Sequence, residues 1–288
     1  MVNGLAIAIQ AAMLSALYAV VSIGFTLIFG VGGVLNLAHG ATITIGAFAG
    51  FYAVSAFDGG VFVAVTAAVL VSGAFGGVLY LGLIRPFRDD PTIIMILTLI
   101  VAIAIEYLFL VVEGTSAYTV PQLVAGTTTV MGASVPYNLV AIFVASWLII
   151  GAVFYWVNRT DTGRAIIATS MDSKGAFLVG IDSDRINLLM WVVASILAGI
   201  AGYFFGSYLT IGWSMGRTPL ILSFAIVILG GLGSVRGSVI GAYLIGSIEV
   251  VTTNVINPQL QGLAPLVAVI VILLVRPSGL YGKEIDIG

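Results

Sequence analysis

The chain has 288 residues, 60% of them hydrophobic and only 8% charged, with a formal net charge of −2 and a mean hydropathy of +1.20. An ordinary soluble domain is about 45–50% apolar and about 25% charged, so no soluble fold can hide this much apolar surface and the solvent must be lipid. The absence of cysteine excludes disulfides, thiolate metal sites and thiol catalysis, and no basic patch outside short loops offers a surface for nucleic acid.

The amino-terminal MVNGLAIAIQ lacks the positive region of a cleavable signal, so the first apolar segment, Leu5 to Phe29, is expected to be retained as a helix. Gly30, Gly32 and Gly33 then interrupt the run, Asn36, His39 and Gly40 follow, and an apolar helix resumes at about Ala41 and ends near Phe57. Hydrocarbon cannot satisfy free backbone groups, so such a break must be buried in protein or line a polar cavity. A turn at Asp58 leads to a third segment, Val61 to Ile84, and the charged turn RPFRDDPT carries Pro86 and Pro91 as helix punctuation. A fourth segment, Ile93 to Val112, contains Glu106. The loop from Glu113 to Pro136 has no Lys or Arg, and a fifth segment runs from Tyr137 to Val157.

The longest polar stretch spans Asn158 to Asn187, with short helical pieces expected at Ala165–Thr169 and Ala176–Val179 and a break at Gly180. A sixth segment, Leu188 to Tyr208, is rich in small residues that let helix backbones approach closely. A short loop with Gly212, Gly216 and Arg217 precedes a short apolar piece, Pro219 to Leu229, which ends in GGLGSVRG, Gly230 to Gly237. Ser238 to Val255 forms another helix and holds Glu249. Asn257-Pro258 marks a turn, Leu263 to Val275 is the last segment, and RPSGLYGKEIDIG is the tail. The expectation is an all-α polytopic membrane protein with about eight to ten membrane segments, some of them broken or half helices. It forms a single transmembrane domain over 1–288, with 158–187 as a cytoplasmic segment inside it. The basic residues Arg85, Arg88, Arg159, Arg164, Lys174, Arg185, Arg276 and Lys283 fall in loops that alternate to one side, which the positive-inside rule makes the cytoplasm, with the carboxyl terminus inside. Arg236 joins them if Pro219–Leu229 crosses fully, and otherwise needs a partner at membrane depth.

Each polar feature has two readings. Asn36 and His39, the lone histidine, share one face of a helical turn and either line a translocation path or satisfy carbonyls freed by the break. A metal site lacks a second histidine, a cysteine or a nearby carboxylate in sequence. Glu106 and Glu249 either serve ion coupling or reach the membrane interface, which is the favoured placement. GGLGSVRGS lacks the lysine of a phosphate-binding P-loop and reads as a tight turn between membrane segments. The Asn158–Asn187 stretch is either a solvated connector or a docking element. The run near Phe25, FTLIFGVGGVLN, is echoed near Phe224 by FAIVILGGLGS, as paired broken helices in transporters are.

Taken together, three stretches and the tail resemble the permease subunit of the branched-chain amino acid ABC transporter family. GFTLIFGVGGVLNLAHG matches at Asn36, Ala38, His39 and Gly40; SMDSKGAFLVGIDSDRI matches at Asp172, Ala176, Leu178, Gly180, Ile181, Asp184 and Arg185. LGGLGSVRGSVIGAYLIGSIE matches at Gly230, Gly231, Gly233, Ser234, Gly237, Gly241 and Glu249, and RPSGLYGK matches the tail. Where the family often carries a lysine upstream of the paired glycines, this chain has Leu222.

The resemblance implies a multi-chain importer for branched-chain or related small amino acids, with this chain as a plasma-membrane subunit that is not itself an enzyme and binds no cofactor or metal. A second permease subunit, homologous or identical, two ATP-binding subunits and an extracytoplasmic solute-binding protein are the implied partners. Asp172, Ala176, Gly180, Ile181, Asp184 and Arg185 become the segment that couples to an ATPase, and Gly30, Gly32, Gly33, Asn36, His39, Gly40, Gly230, Gly231, Gly233 and Gly237 the helix breaks at the pathway. The rivals are a stand-alone carrier or channel relying on Glu106, Glu249 and His39, and an intramembrane enzyme, for which no catalytic constellation is visible.

Overall fold

The computed structural model describes residues 4–57, 59–130, 133–275 and 279–281; Asp58, Arg276 and Lys283, used above for the topology, lie outside them. The chain is helical almost throughout. Long apolar helices are α1 (Gly4–Gly32), α3 (Gly60–Leu79), α4 (Pro91–Glu113), α5 (Tyr137–Arg159), α8 (Ser183–Tyr208) and α10 (Val235–Val251). A π-helical turn, Tyr80–Ile84, extends α3, and another, Thr252–Ile256, extends α10. With those extensions, 6 helices are long and apolar enough to cross a membrane. Shorter helices α2 (His39–Ala56), α9 (Arg217–Gly230) and α11 (Leu263–Val275) pack among them, and α6 (Asp161–Met171) and α7 (Ser173–Leu178) fill the polar stretch. Among the described residues the 113–136 loop carries a small antiparallel hairpin, β1 (Thr127–Val130) and β2 (Ala133–Pro136).

Helix starts are set by short polar side chains that accept the orphan N–H groups of a first turn. Asp90 caps α4 through Thr92 N and Ile93 N, each at 3.0 Å, with Pro91 at the first helical position. Thr160 caps α6 and Ser234 caps α10 in the same way.

Pairwise contacts define two ends of the bundle. α1 runs antiparallel to α10, with Thr26 Oγ1 2.5 Å from Ser238 Oγ. α3 runs antiparallel to α8, Gly76 facing Ser195 and Ser72 facing Gly199. α2 runs parallel to α8, Gly46 meeting Gly199 and Gly50 meeting Tyr203. One end therefore collects the α1–α2 break, the α3–α4 turn, α6, α7 and the α9–α10 break. Residues 280 and 281 join it, donating from Leu280 N to Leu229 O and from Tyr281 N to Gly230 O at 2.8 and 3.1 Å, which caps the carbonyl end of α9. The opposite end is closed by the 114–136 segment. It is pinned to α8 by Tyr203 Oη donating to Pro121 O (2.8 Å) and by Asn138, which accepts from Leu123 N and donates to Ser207 O at 2.9 Å each. A bridge from Tyr118 to Ile211 completes that cover.

Where helices cross most closely the side chain is a hydrogen atom. A Cβ on Gly237 would lie 1.9 Å from Gly230 O, and one on Gly230 would lie 2.4 Å from Gly237 O. Backbone cannot retreat from such a contact without moving a helix. Gly237→Ala is therefore expected to cost about 1–3 kcal/mol, read as earlier thermal unfolding of the detergent-purified chain. Gly151→Ala, which has nothing within 4 Å of its new methyl, should leave the melting curve unchanged.

Candidate functional site

The 158–187 stretch folds as two short capped helices, α6 and α7, many of whose residues are exposed. Asp172 ends α6 and caps α7, accepting from Lys174 N at 2.9 Å. Ala176 is buried beneath it. α7 closes on Gly180, whose φ of 87° is left-handed. Gly180 N donates to Phe177 O and Ile181 N to Ala176 O, each at 3.0 Å, so the last carbonyls of α7 are satisfied by the turn itself. Asp182 then caps α8 through Asp184 N and Arg185 N at 3.2 Å. Five of these positions, Asp172, Ala176, Gly180, Ile181 and Asp182, thus build one rigid turn, and of them only Asp182 lies outside the predicted coupling set.

Two features distinguish the surface of that turn. Phe177, Leu178 and Val179 are 71%, 85% and 76% exposed, a contiguous apolar tip that no element among the described residues covers. Asp184, by contrast, turns inward. It accepts from Tyr80 Oη at 2.7 Å and pairs with Arg85 at 2.9 Å and Arg88 at 3.5 Å. The start of α8 is thereby tied to the π-turn that ends α3 and to the α3–α4 turn. Arg185 points the other way and, among the described residues, pairs only with Asp182, at 2.8 Å on an exposed surface. Beneath α7 lies a cavity of about 750 Å³, walled by the end of α1 (Val31, Gly32), the end of α3 (Tyr80, Ile84), Phe177, Leu178 and the start of α8.

The two glycine breaks meet each other. α1 continues through Gly30 and Gly32 and breaks at Gly33 (φ 64°), and α2 already begins at His39. The interruption is therefore later and shorter than the glycine cluster implies, because glycines inside a helix contact can remain helical. A Cβ on Gly30 would lie 3.3 Å from Gly233 Cα, which sits in the second break between Gly230 and Val235. Asn36 uses its side-chain oxygen to accept from Ala38 N at 3.0 Å, and His39 Nε2 lies 3.1 Å from Val21 O. Both residues are buried, and Gly40 packs on Gly216 and Leu220. His39 thus contacts a carbonyl in the middle of α1, well before the break, rather than one of the carbonyls that the break frees. His39 Nδ1 and Asn36 Nδ2 are buried without partners among the described residues.

The two carboxylates, Glu106 and Glu249, are both buried within the protein. Glu106 Oε2 accepts from Arg217 Nε and Nη2 at 2.8 and 2.6 Å, and Arg217 Cζ lies 4.9 Å from the Trp213 ring centroid. Glu249 accepts from Gly262 N at 3.0 and 3.1 Å and so pins the α10–α11 turn. An unpaired charge at the bilayer centre costs about 2.5–3.5 kcal/mol on insertion scales, which these partners offset. Leu222, at the position where relatives often carry lysine, is fully buried in α9.

A family model described as the permease component of a branched-chain amino acid transport system matches residues 7–275. The chain belongs to that family. The permease is 28% identical to the high-affinity branched-chain amino acid transport system permease protein BraD of Pseudomonas aeruginosa, over 98% of this chain and 95% of that one. It is 27% identical to the corresponding LivH protein of Escherichia coli, over 94% and 92%, and 26% identical to a probable branched-chain amino acid transport permease protein LivH of Methanocaldococcus jannaschii, over 94% and 90%. No solved structure matches. The permease is thus a transport protein of the membrane, and membership of this family favours the importer reading over a stand-alone carrier.

Sequence reasoning missed three participants. Tyr80 sits inside an apolar segment with nothing to mark its partner. Asp182 was lost among its acidic neighbours, although Asp followed by a helix is a capping signal. Arg217 was read as a loop residue, and its pairing with Glu106 spans 111 positions. Because the ion pairs of Asp184 with Arg85 and Arg88 are half-exposed, they contribute little, and the Tyr80 hydrogen bond carries the contact. Asp184→Asn, which keeps an acceptor, is expected to cost about 1 kcal/mol or less, whereas Asp184→Ala costs about 1.5–3 kcal/mol; thermal melts of the two purified variants check the order.

Proposed function

We propose that the permease is the membrane-spanning subunit of an ABC importer that carries branched-chain or related small amino acids, driven by ATP hydrolysis in partner subunits. The observation that carries this reading is α7: a turn capped at both ends that presents Phe177, Leu178 and Val179 to solvent. The end of the bundle holding α7 also holds Arg85, Arg88, Arg159, Arg164, Lys174 and Arg185, so the positive-inside rule makes it cytoplasmic. Residues 279–281 lie at that end, so the carboxyl terminus is cytoplasmic too. The names of the relatives support an amino acid as cargo. Two ATP-binding subunits dock at this end, a second permease subunit completes the pathway, and an extracytoplasmic binding protein delivers the solute. The single domain over 1–288 then has 158–187 as its coupling segment.

In this mechanism ATP closure of the partner subunits pushes on α7. The capped turn cannot absorb the push, because its carbonyl and N–H ends are internally satisfied, so it passes the motion along two routes. One is Asp184 to Tyr80 and the α3–α4 turn. The other is the cavity under α7 to the end of α1, where the breaks at Gly33–Ala38 and Gly231–Ser234 adjoin through Gly30 and Gly233. Helices broken at one shared level can rearrange together and open the path alternately to each side. Gly30, Gly32, Gly33, Gly40, Gly230, Gly231, Gly233 and Gly237 form that joint, and Asn36 and His39 hold it.

A tagged permease should co-purify with an ATP-binding subunit, and Phe177→Asp/Leu178→Asp should reduce that yield at least tenfold while the size-exclusion profile stays unchanged, because both side chains contact solvent in the free chain. If no ATPase accompanies the wild type and the purified chain alone moves solute in proteoliposomes, the importer reading is wrong.

A further inference from the structure

We infer that Glu106, Arg217 and Trp213 form a binding site for the α-amino acid zwitterion on the extracytoplasmic half of the pathway; the cargo class rests on the proposed function. Glu106 lies about 10 Å from the end of α4 at Glu113, counted at 1.5 Å per residue, which places it below the headgroups. Its partner Arg217 opens α9, the short helix that leads from the middle of the bundle, where Gly216 N donates to Thr44 Oγ1, to the Gly231–Ser234 break.

The geometry leaves half of each charged group unused. Arg217 directs Nε and Nη2 at a single oxygen, Glu106 Oε2. Among the described residues neither Arg217 Nη1 nor Glu106 Oε1 has a hydrogen-bond partner. A guanidinium edge with free N–H groups is the preferred receptor for a carboxylate, and a carboxylate oxygen is one for an ammonium. The side chain of Glu106 is 11% exposed and that of Arg217 is 51% exposed, so the pair is fixed by burial on one side and open on the other. A half-open arginine at this depth cannot face hydrocarbon; it faces protein or water.

The charge balance selects the ligand. Glu106 and Arg217 together are neutral, and a zwitterion keeps the site neutral when it enters. A lone carboxylate or a lone ammonium would leave one uncompensated charge in a low-dielectric place. Trp213 lies against the guanidinium, and Tyr107, the neighbour of Glu106, is 57% exposed. The Trp213 ring, which the guanidinium covers at 4.9 Å, supplies an apolar surface beside the pair for an aliphatic side chain. The site therefore reads the backbone end of an amino acid and accepts a range of aliphatic side chains.

The test uses the whole transporter in proteoliposomes, with uptake of radiolabelled leucine as the readout and ATPase association and size exclusion as controls. Arg217→Lys keeps the charge and the pair with Glu106 but loses the planar edge, and it should raise KM at least fivefold with a smaller change in kcat. Glu106→Met/Arg217→Met, which removes both charges together, should reduce uptake at least tenfold. Tryptophan fluorescence of the purified permease gives a second readout. Leucine should produce a saturable change that Trp213→Phe removes, and neither 3-methylbutylamine nor 4-methylpentanoate should produce one. If leucine uptake in Arg217→Lys and in the folded double variant stays within twofold of wild type, the pair is a helix clamp only and the inference is overturned, while the importer reading stands. If the wild-type transporter moves another solute and no amino acid, the proposed function fails first, and this site with it.

Discussion

In a bilayer every backbone N–H and C=O must find its partner within the protein, and the rest of this structure depends on that requirement. A chain of uninterrupted spans meets it trivially. This chain interrupts helices near Gly33 and Gly231, and each interruption is resolved by a short local answer. Asn36 accepts from Ala38 N, Thr98 accepts from Leu37 N, Ser234 caps α10, and Leu280 and Tyr281 close the end of α9. The tail sequence, which looks detached from the membrane segments, is thus part of the solution to a helix end more than fifty residues earlier, by about the distance that a returning helix requires.

The same logic explains why the polar stretch behaves as a solid element. Its capping residues consume the orphan groups at three helix ends within fourteen positions, from Asp172 to Arg185. What remains for outside contact is side-chain surface alone, and that surface is apolar at the tip and charged at the flanks. The coupling proposed for this segment needs stiffness along its length and an interface at its end, and the caps and the exposed Phe177 and Leu178 suit those two needs.

Charges inside the apolar bundle follow a third form of the rule. Glu249 is held by a backbone N–H, and Glu106 by Arg217 through one of its two oxygens. The difference is exposure: Glu249 sits in a closed turn, whereas the Glu106–Arg217 pair opens on one side. A closed carboxylate is a structural pin, and an open ion pair is a place where a solute can be read.

Much of this was legible in the residues themselves. Composition dictates a lipid solvent, runs of about 20 apolar residues dictate spans, and Asp90-Pro91 and Thr160 mark helix starts because capping is a local matter of a side-chain oxygen and the next N–H groups. Gly180 marks a left-handed helix end for a different local reason, because without a Cβ it adopts positive φ at no steric cost. Only the tertiary structure decided where glycine clusters break and where they merely allow contact, since Gly30 and Gly32 stay helical while Gly33 does not. It alone decided that the two breaks touch, that Asp184 faces Tyr80 rather than solvent, and that Glu106 finds Arg217. These outcomes depend on groups far apart in the chain, and in a nearly uniform apolar sequence no local pattern encodes which helix lies beside which.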